Sequence, residues 1–159
     1  MTQHSILHTS FVIDRQFKAP PARVFSAWAD PEIKRRWSDC HAELPNGEYS
    51  LDFRPGGIEV HRVVYPNGVV QRIEKRYFDI VPNARIIFGY DIQLDTRRLS
   101  VSLVTVQFEP SRAGTRMLMT EYIAYLDGHE DLEARIRGTN EGLDRLNREL
   151  QSSSSTSID

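Results

Sequence analysis

The feature that most constrains the fold is a long amphipathic stretch near the end of the sequence, at residues 130–150. Its apolar or small positions recur at alternating steps of four and three residues, the spacing of one buried stripe on an α-helix. Acidic residues in its first turn and arginines near its last turn complement the dipole of such a helix. We therefore predict a helix that buries one face against the rest of the chain. The stripe consists of Leu132, Ile136, Thr139, Leu143, Leu146 and Leu150.

Two glycines interrupt this helix one turn apart, at Gly138 and Gly142. Each lowers helix propensity by about 1 kcal/mol relative to alanine. Together they leave a strip without side chains, where backbone or a ligand can come close. We expect this helix to lie on a sheet and to form one wall of a cavity.

The preceding sequence predicts strands and two short helices. Residues 11–18 alternate between apolar and polar, as a strand with one buried face does. Pro20-Pro21 and Asp30-Pro31 then favour two short helices, with Asp30 as the N-cap of the second. Six further strands follow, separated by turns too short for parallel crossovers, so neighbouring strands pair antiparallel. The fold class is therefore α+β, with about seven strands, two short helices after the first strand and a long C-terminal helix.

Length and composition suggest one domain at residues 11–150, between a polar leader at 1–10 and a disordered, Ser-rich tail at 151–159. A net charge of −2 gives no general attraction to nucleic acid or to an anionic membrane, and neither is an expected partner. The basic run Lys34-Arg35-Arg36 is interpreted as a solvated helix end. The single cysteine, Cys40, fits a reducing compartment, and no apolar run is long enough to span a membrane, so we expect a cytoplasmic location.

The order of elements and several local motifs resemble the helix-grip proteins of the START-like (SRPBCC) superfamily. Within that superfamily, the chain is most similar to the family of the activator of the heat-shock protein 90 ATPase. One departure is Gly142-Leu143, where many relatives carry Gly-Trp. The matching stretches are residues 15–37 (RQFKAPPARVFSAWADPEIKRRW), Gly56-Gly57, 79–86, 114–121 and 138–150.

The resemblance implies a curved antiparallel sheet that grips the terminal helix, with the first and last strands adjacent and a ligand-sized cavity between sheet and helix. It implies no particular reaction, because the superfamily includes lipid carriers, hormone receptors and polyketide cyclases. A chaperone partner is not expected, since the eukaryotic activator contacts the chaperone with an additional N-terminal domain.

Three charged residues share faces with apolar neighbours and are candidate ligand-binding groups. Arg15 and Glu121 lie on the first and last strands, where they could meet as a structural ion pair or orient a polar group of a ligand. Arg62 lies on the face of Ile58 and Val60. If Glu59 and His61 point inward instead, that assignment reverses.

Aromatic, apolar and small side chains complete the candidate ligand-binding set, although aromatic residues are also common in an ordinary core. This part of the set comprises Trp28, Trp37, Phe53, Tyr90, Met119, Thr139 and Leu143.

No sequence pattern indicates a metal, a cofactor or a catalytic set. His4 and His8 have H-x-x-x-H spacing but no predicted helix and no third ligand. Cys40 and His41 are adjacent, and adjacent side chains of an extended segment point in opposite directions. We therefore expect a protein that binds a small hydrophobic or aromatic ligand. Two alternatives stay open: a cyclase, hydratase or hydrolase with Glu121 as general base, and an interaction module that forms a homodimer or assists a chaperone.

Overall fold

A computed structural model describes residues 4–39, 41–44 and 47–154. In chain order the strands and helices are β1 Ile6–Phe17, α1 Pro21–Ala29, α2 Pro31–Ser38, β2 Glu48–Leu51, β3 Ile58–Val64, β4 Val70–Val81, β5 Arg85–Leu94, β6 Arg97–Ser111, β7 Gly114–Leu126 and α3 Leu132–Ser154. This confirms the predicted α+β class, the two short helices after the first strand and the long C-terminal helix. Cys40 lies outside the described residues.

The strands form one antiparallel sheet in the order β1-β7-β6-β5-β4-β3-β2. Every neighbouring pair from β2 to β7 is consecutive in the chain, as the short turns predict. The first strand closes the order by pairing with the last, which the family resemblance implied. The sheet is therefore a meander whose final strand is flanked by β6 and β1.

Two elements extend further than the sequence pattern suggested. β1 begins at Ile6, within the expected leader, because Ile6 pairs with Leu126 at the far end of β7. α3 continues through Ser154, four residues into the expected tail. Backbone pairing thus carries β1 into residues whose side chains are exposed, such as Ile6 and Leu7, and helix propagation carries α3 into the Ser-rich segment.

The two short helices begin where the proline signals placed them. Pro21 is the first residue of α1 and Pro31 the first of α2. The Asp30 carboxylate accepts hydrogen bonds from the backbone N–H groups of Glu32 at 2.9 Å and Ile33 at 3.2 Å. The predicted N-cap is confirmed, and it sets the corner that directs α2 across the fold.

The core lies between one face of the sheet and α3. Leu143, Leu146 and Leu150 of α3 are buried, and they belong to one apolar cluster with side chains of β1, β5, β6 and β7. Ile136, also predicted in the stripe, is half-buried at the edge of that cluster. Among the helices in the described part of the chain, none combines the length and the apolar character of a membrane span.

Candidate functional site

A cavity of about 240 Å³ lies between the sheet and α3. An engineered apolar cavity of roughly 150 Å³ accommodates benzene, so this space suits one ring with a short substituent. Its wall combines an apolar part with several charged side chains. The apolar part includes Trp28, Trp37, Ile73, Phe88, Met119 and Leu143.

The two glycines of α3 are among the residues that line this cavity. A Cβ atom at Gly138 would meet no other atom within 4 Å. At Gly142 it would lie 3.4 Å from the carbonyl oxygen of Trp37. The helix therefore has open space at Gly138, whereas at Gly142 it packs closely against the end of α2.

Glu121 of β7 borders the cavity and is 1% exposed. Its Oε2 accepts hydrogen bonds from the Tyr90 hydroxyl at 2.5 Å, the Ser102 hydroxyl at 2.9 Å and the Arg135 guanidinium at 3.4 Å. Burial raises the pKa of Tyr90, and the nearby carboxylate raises it further. This hydroxyl therefore stays protonated at neutral pH and acts as a donor.

Arg135 of α3 connects this carboxylate to a second one. Its Nε lies 3.2 Å from Asp131 Oδ1, and its Nη2 donates to the Ser100 hydroxyl at 2.9 Å. Burial alone would lower the pKa of Arg135, but Tyr90, Asp131 and Glu121 together raise it. The guanidinium is therefore a permanent charge fixed between α3 and the sheet.

Our expectation that Arg15 and Glu121 could meet is wrong. The register of β1 and β7 places Phe11 opposite Glu121, so Arg15 lies four residues further along β1, opposite Met117. The Arg15 guanidinium instead donates to Asp144 Oδ1 of α3 at 2.6 Å. Arg15 is thus a structural ion-pair partner outside the cavity lining, and Arg135 takes the place beside Glu121.

A second buried carboxylate, Glu59 of β3, has more partners than Glu121. Its two oxygens accept hydrogen bonds from the Lys34 ammonium at 2.9 and 3.1 Å. The Tyr77 hydroxyl donates to Oε1 at 2.6 Å, and the Tyr49 hydroxyl donates to Oε2 at 2.9 Å. The His61 ring nitrogen lies 3.3 Å from Oε2. We refer to Glu59, Lys34, Tyr49, Tyr77 and His61 as the Glu59 cluster.

Burial and mutual attraction set the ionisation of this cluster. Burial alone would raise the pKa of Glu59, but Lys34, Lys75 and His61 together hold it well below its usual value. Burial lowers the pKa of Lys34 to about 8, against the opposing attraction of Glu59. Burial also lowers the pKa of His61. At neutral pH the cluster therefore contains an ionised Glu59–Lys34 pair beside a neutral imidazole.

The burial of Glu59 shows which face of β3 points inward, and Arg62 does not lie on that face. Glu59 is fully buried and His61 is largely buried, so the reversed face considered in the sequence is the inward one. Arg62 lies on the other face, 3.8 Å from Glu48, and outside the cavity lining. Phe53 also lies outside this lining, with its ring 5.6 Å from that of Phe25 and 5.0 Å from that of Tyr77.

The structure thus brings seven of the ten predicted site residues to one cavity. Whether they contact a ligand stays a prediction. They are Trp28, Trp37, Tyr90, Met119, Glu121, Thr139 and Leu143.

Four charged residues of the site were missed, namely Lys34, Lys75, Arg135 and Arg145. Arg145 was predicted only as one of the arginines near the last turn of the helix. Lys34 is completely buried, so the interpretation of its basic run as a solvated helix end is wrong at this position. Its signal was helical spacing, because Lys34 and Trp37 lie three residues apart on one face of α2. Arg135 lies three residues after Leu132 and four before Thr139, which places it at the edge of the apolar stripe. For Lys75 the only sequence signal was strand alternation, because Lys75 lies two residues from Ile73 and two from Tyr77.

No group of three or more potential metal ligands occurs within residues 4–39, 41–44 and 47–154. His4, which the H-x-x-x-H spacing singled out, lies 3.4 Å from Asp127.

Comparison with known proteins agrees with this architecture. Residues 18–152 match the sequence model of one family, described as activator of Hsp90 ATPase homolog 1-like protein. The chain belongs to this family. The fold and family that the sequence motifs suggested are therefore confirmed. No curated protein matches the sequence.

Solved structures of related proteins share the fold over almost their whole length. An uncharacterised protein from Rhizobium leguminosarum is 48% identical, with 95% of this chain and 99% of that chain covered and a TM-score of 0.89. The Mll3558 protein from Rhizobium loti is 39% identical, with 91% and 99% covered and a TM-score of 0.84. A protein of unknown function from Staphylococcus aureus is 20% identical, with 95% and 98% covered and a TM-score of 0.74, and shows the fold alone.

Proposed function

We propose that this member of the activator of Hsp90 ATPase homolog 1-like family binds a small, largely apolar molecule between its sheet and α3. The observation that carries this proposal is the cavity of about 240 Å³ walled by aromatic and aliphatic side chains. Ligand sites of proteins are concave and mostly apolar, with a few polar groups that fix orientation. Tyr90 and Glu121 are such groups here, since both line the cavity and hydrogen-bond to each other.

The predicted site residues divide into two roles in this proposal. Trp28, Trp37, Met119 and Leu143 contact the apolar body of the ligand. Tyr90, Glu121 and Thr139 supply polar atoms on the cavity wall that fix the orientation of the ligand. The Thr139 hydroxyl already donates to the Arg135 carbonyl at 2.8 Å, which leaves its oxygen lone pairs for a ligand donor.

Thermal unfolding in the presence of one-ring and two-ring aromatic compounds, short fatty acids and polyketide-like compounds tests the proposal. A ligand that binds only the folded state raises the free energy of unfolding, by about 2.7 kcal/mol at a ligand concentration of 100 times its Kd. Tm therefore rises with ligand concentration. We expect at least one class to raise Tm. If no compound in these classes raises Tm, the proposal is contradicted.

A matched pair of variants locates the site. Gly138→Met adds a flexible side chain at the cavity wall, where a Cβ atom has open space. Ala134→Met adds the same side chain at an exposed position of α3, one turn earlier. We expect Gly138→Met to reduce the ligand-induced rise in Tm and Ala134→Met to leave it unchanged. An equal ligand response in both variants would place the ligand elsewhere.

One observation favours a second candidate function, an enzyme that uses Glu121 as a general base. All three hydrogen bonds that Glu121 accepts from described residues go to Oε2, and none goes to Oε1. A carboxylate oxygen beside an apolar cavity can accept a proton from a bound substrate. Mass spectrometry of aromatic polyketide-like and ester substrates incubated with the protein tests this function. Turnover that disappears in Glu121→Gln while the fold is retained would support it, and equal turnover in both proteins would reject the assignment.

A further inference from the structure

The cavity has more positive charge than the surrounding carboxylates neutralise. Four of its lining residues carry a permanent or near-permanent positive charge at neutral pH, whereas Glu121 supplies the one carboxylate among the lining residues. The four cations are Lys34, Lys75, Arg135 and Arg145. Two of them have close carboxylate partners, since Lys34 hydrogen-bonds to Glu59 and Arg135 lies 3.4 Å from Glu121.

Lys75 is the cation with the least adequate partner. Its Nζ lies 3.9 Å from Glu59 Oε1, beyond hydrogen-bond distance, and it donates to no acceptor within the described residues. Both oxygens of Glu59 are already occupied, by Lys34 and two tyrosine hydroxyls among others. Two ammonium groups therefore share one carboxylate, and the Lys75 side chain is only 16% exposed. A partly buried ammonium group without a hydrogen-bond acceptor in the protein can still donate to a bound anion.

Arg145 adds a second cation without a close carboxylate partner. Its Nε donates to the backbone carbonyl of Trp37 at 2.9 Å. No carboxylate of the described chain lies within 4.0 Å of its guanidinium, which is half-buried on α3. Arg145 and Lys75 thus approach the cavity from opposite layers, one from the helix and one from β4.

A neutral donor on the same wall also has no acceptor. The indole N–H of Trp28 is buried and has no hydrogen-bond partner within the part of the chain that the structure describes. Trp28 lines the cavity and is 3% exposed. The cavity region therefore contains donors without acceptors, which is the condition that a ligand acceptor oxygen satisfies.

The surroundings of Lys75 are apolar on the other side. Its Nζ lies 5.3 Å from the centre of the Phe88 ring and 5.9 Å from that of Tyr90. Ile73 and Ile92 line the cavity beside them. An inorganic anion would meet the charge but leave these walls without contacts, whereas an aromatic acid meets both.

We propose that the molecule bound in this cavity is a small organic anion, an apolar body of about one ring that ends in a carboxylate hydrogen-bonded to the Lys75 ammonium. This inference rests on the proposed function, because it names the chemical class of the ligand for the same cavity. Arg145 contributes to the positive potential, and Lys75 makes the direct contact. Charged hydrogen bonds in a partly buried site are stronger than neutral ones.

Isothermal titration with three probes of matched ring and chain length tests the inference. The probes are 3-phenylpropanoate, 3-phenylpropanamide and 3-phenylpropylammonium at pH 7. We expect the carboxylate to bind roughly 10- to 100-fold more tightly than the amide, and the ammonium to bind most weakly. In Lys75→Met, which keeps most of the aliphatic stem, the carboxylate and the amide should bind with equal affinity.

Two further variants separate the direct contact from net charge and from folding. Lys75→Arg keeps the positive charge and should keep the preference for the carboxylate. Lys18→Met removes a charge from an exposed position of the surface and should leave the preference unchanged. Far-UV circular dichroism and Tm check that each variant folds.

The outcomes are distinct. Equal affinity for carboxylate and amide in the unmodified protein overturns the inference and leaves the proposed function intact. A preference that survives in Lys75→Met overturns the assignment to Lys75. If none of the three probes binds but neutral compounds raise Tm, the ligand is not a one-ring acid and the inference falls alone. If no compound of either series binds, the proposed function falls with it.

Discussion

Glu59 and Glu121 are two buried carboxylates on the same face of one sheet, and their surroundings differ in one decisive respect. Both are almost fully buried, at 0% and 1% exposure. Each accepts a short hydrogen bond from a tyrosine hydroxyl and lies near a buried cation. Burial and partner type therefore do not distinguish them.

The two carboxylates differ in how many of their oxygens accept hydrogen bonds. In the Glu59 cluster both oxygens accept hydrogen bonds from neighbouring side chains. At Glu121, the hydrogen bonds from described residues all reach one oxygen, and the residue borders the cavity. A carboxylate whose acceptor capacity is full holds the fold together, whereas one with capacity left beside a void is available to a ligand.

The largest effect that tests this comparison is the loss of stability in Glu59→Gln. The substitution keeps the shape of the side chain but leaves the fully buried Lys34 ammonium without a counter-charge. Breaking a buried ion pair by removing one partner costs about 3–5 kcal/mol. We expect a decrease of that size in the free energy of unfolding, measured by urea denaturation.

The double variant Glu59→Gln, Lys34→Met is its control. It removes the stranded charge, so it should recover a large part of the lost stability. A loss below about 1 kcal/mol in the single variant would contradict a buried Glu59–Lys34 ion pair, because so small a loss is typical of exposed pairs.

The next effect is the pH dependence that the Glu59 cluster imposes. The pKa of Glu59 in the folded protein lies well below the unfolded value of about 4.3. Its stabilisation is therefore complete above about pH 4.3 and is lost as the pH falls through the folded pKa. The pKa of His61 is also lowered, so stability already falls as the pH drops below about 6.5, where the unfolded chain binds more protons.

Urea denaturation between pH 7 and pH 3 measures this dependence. The unmodified protein should lose stability throughout that range, and Glu59→Gln should lose less below pH 4.3 because it lacks the carboxyl group. Parallel curves for the two proteins in the acidic range would contradict the assignment of acid sensitivity to Glu59.

The fold was predictable because it depends on periodicity and turn chemistry. The stripe of α3 contains Leu143, Leu146 and Leu150, and all three are buried. Asp30 and Pro31 start α2 as their residue types require. Such signals are local in sequence, so they can be recognised without knowing which residues pack against them.

The site was predictable only in part, because it depends on register and on the depth of single charges. Alternation gave Arg15 and Glu121 the same face, yet the register of β1 and β7 separates them by four residues. No local signal contains that register. Lys34 lies within a run of three basic residues and is buried because Glu59, 25 residues later, neutralises it. Composition alone does not reveal such a pairing.

At the cavity, Glu121→Gln should cost less stability than Glu59→Gln. The amide still accepts hydrogen bonds from Tyr90 and Ser102, and Arg135 keeps Asp131 as a carboxylate partner at 3.2 Å. We expect the loss of one charge from this hydrogen-bond network to lower the free energy of unfolding by about 1–2 kcal/mol. Urea denaturation of both single variants side by side gives the order. A larger loss for Glu121→Gln than for Glu59→Gln would reverse the structural and available roles assigned here.

The smallest effect distinguishes open from filled space along α3. Gly138→Ala adds a methyl group where no atom lies within 4 Å, so the gain in helix propensity should raise the free energy of unfolding by about 0.5–1 kcal/mol. Gly142→Ala gains the same propensity, but its methyl group meets the Trp37 carbonyl at 3.4 Å, so its net gain should be smaller or negative. Urea denaturation measures both variants against the unmodified protein. Equal gains in the free energy of unfolding would mean that the end of α2 moves at little cost to accommodate a methyl group at Gly142. The cavity wall would then not be rigid at that position. A gain confined to Gly138 would mean that the void has a fixed boundary on the side of α2, where Lys34 and the Glu59 cluster anchor it.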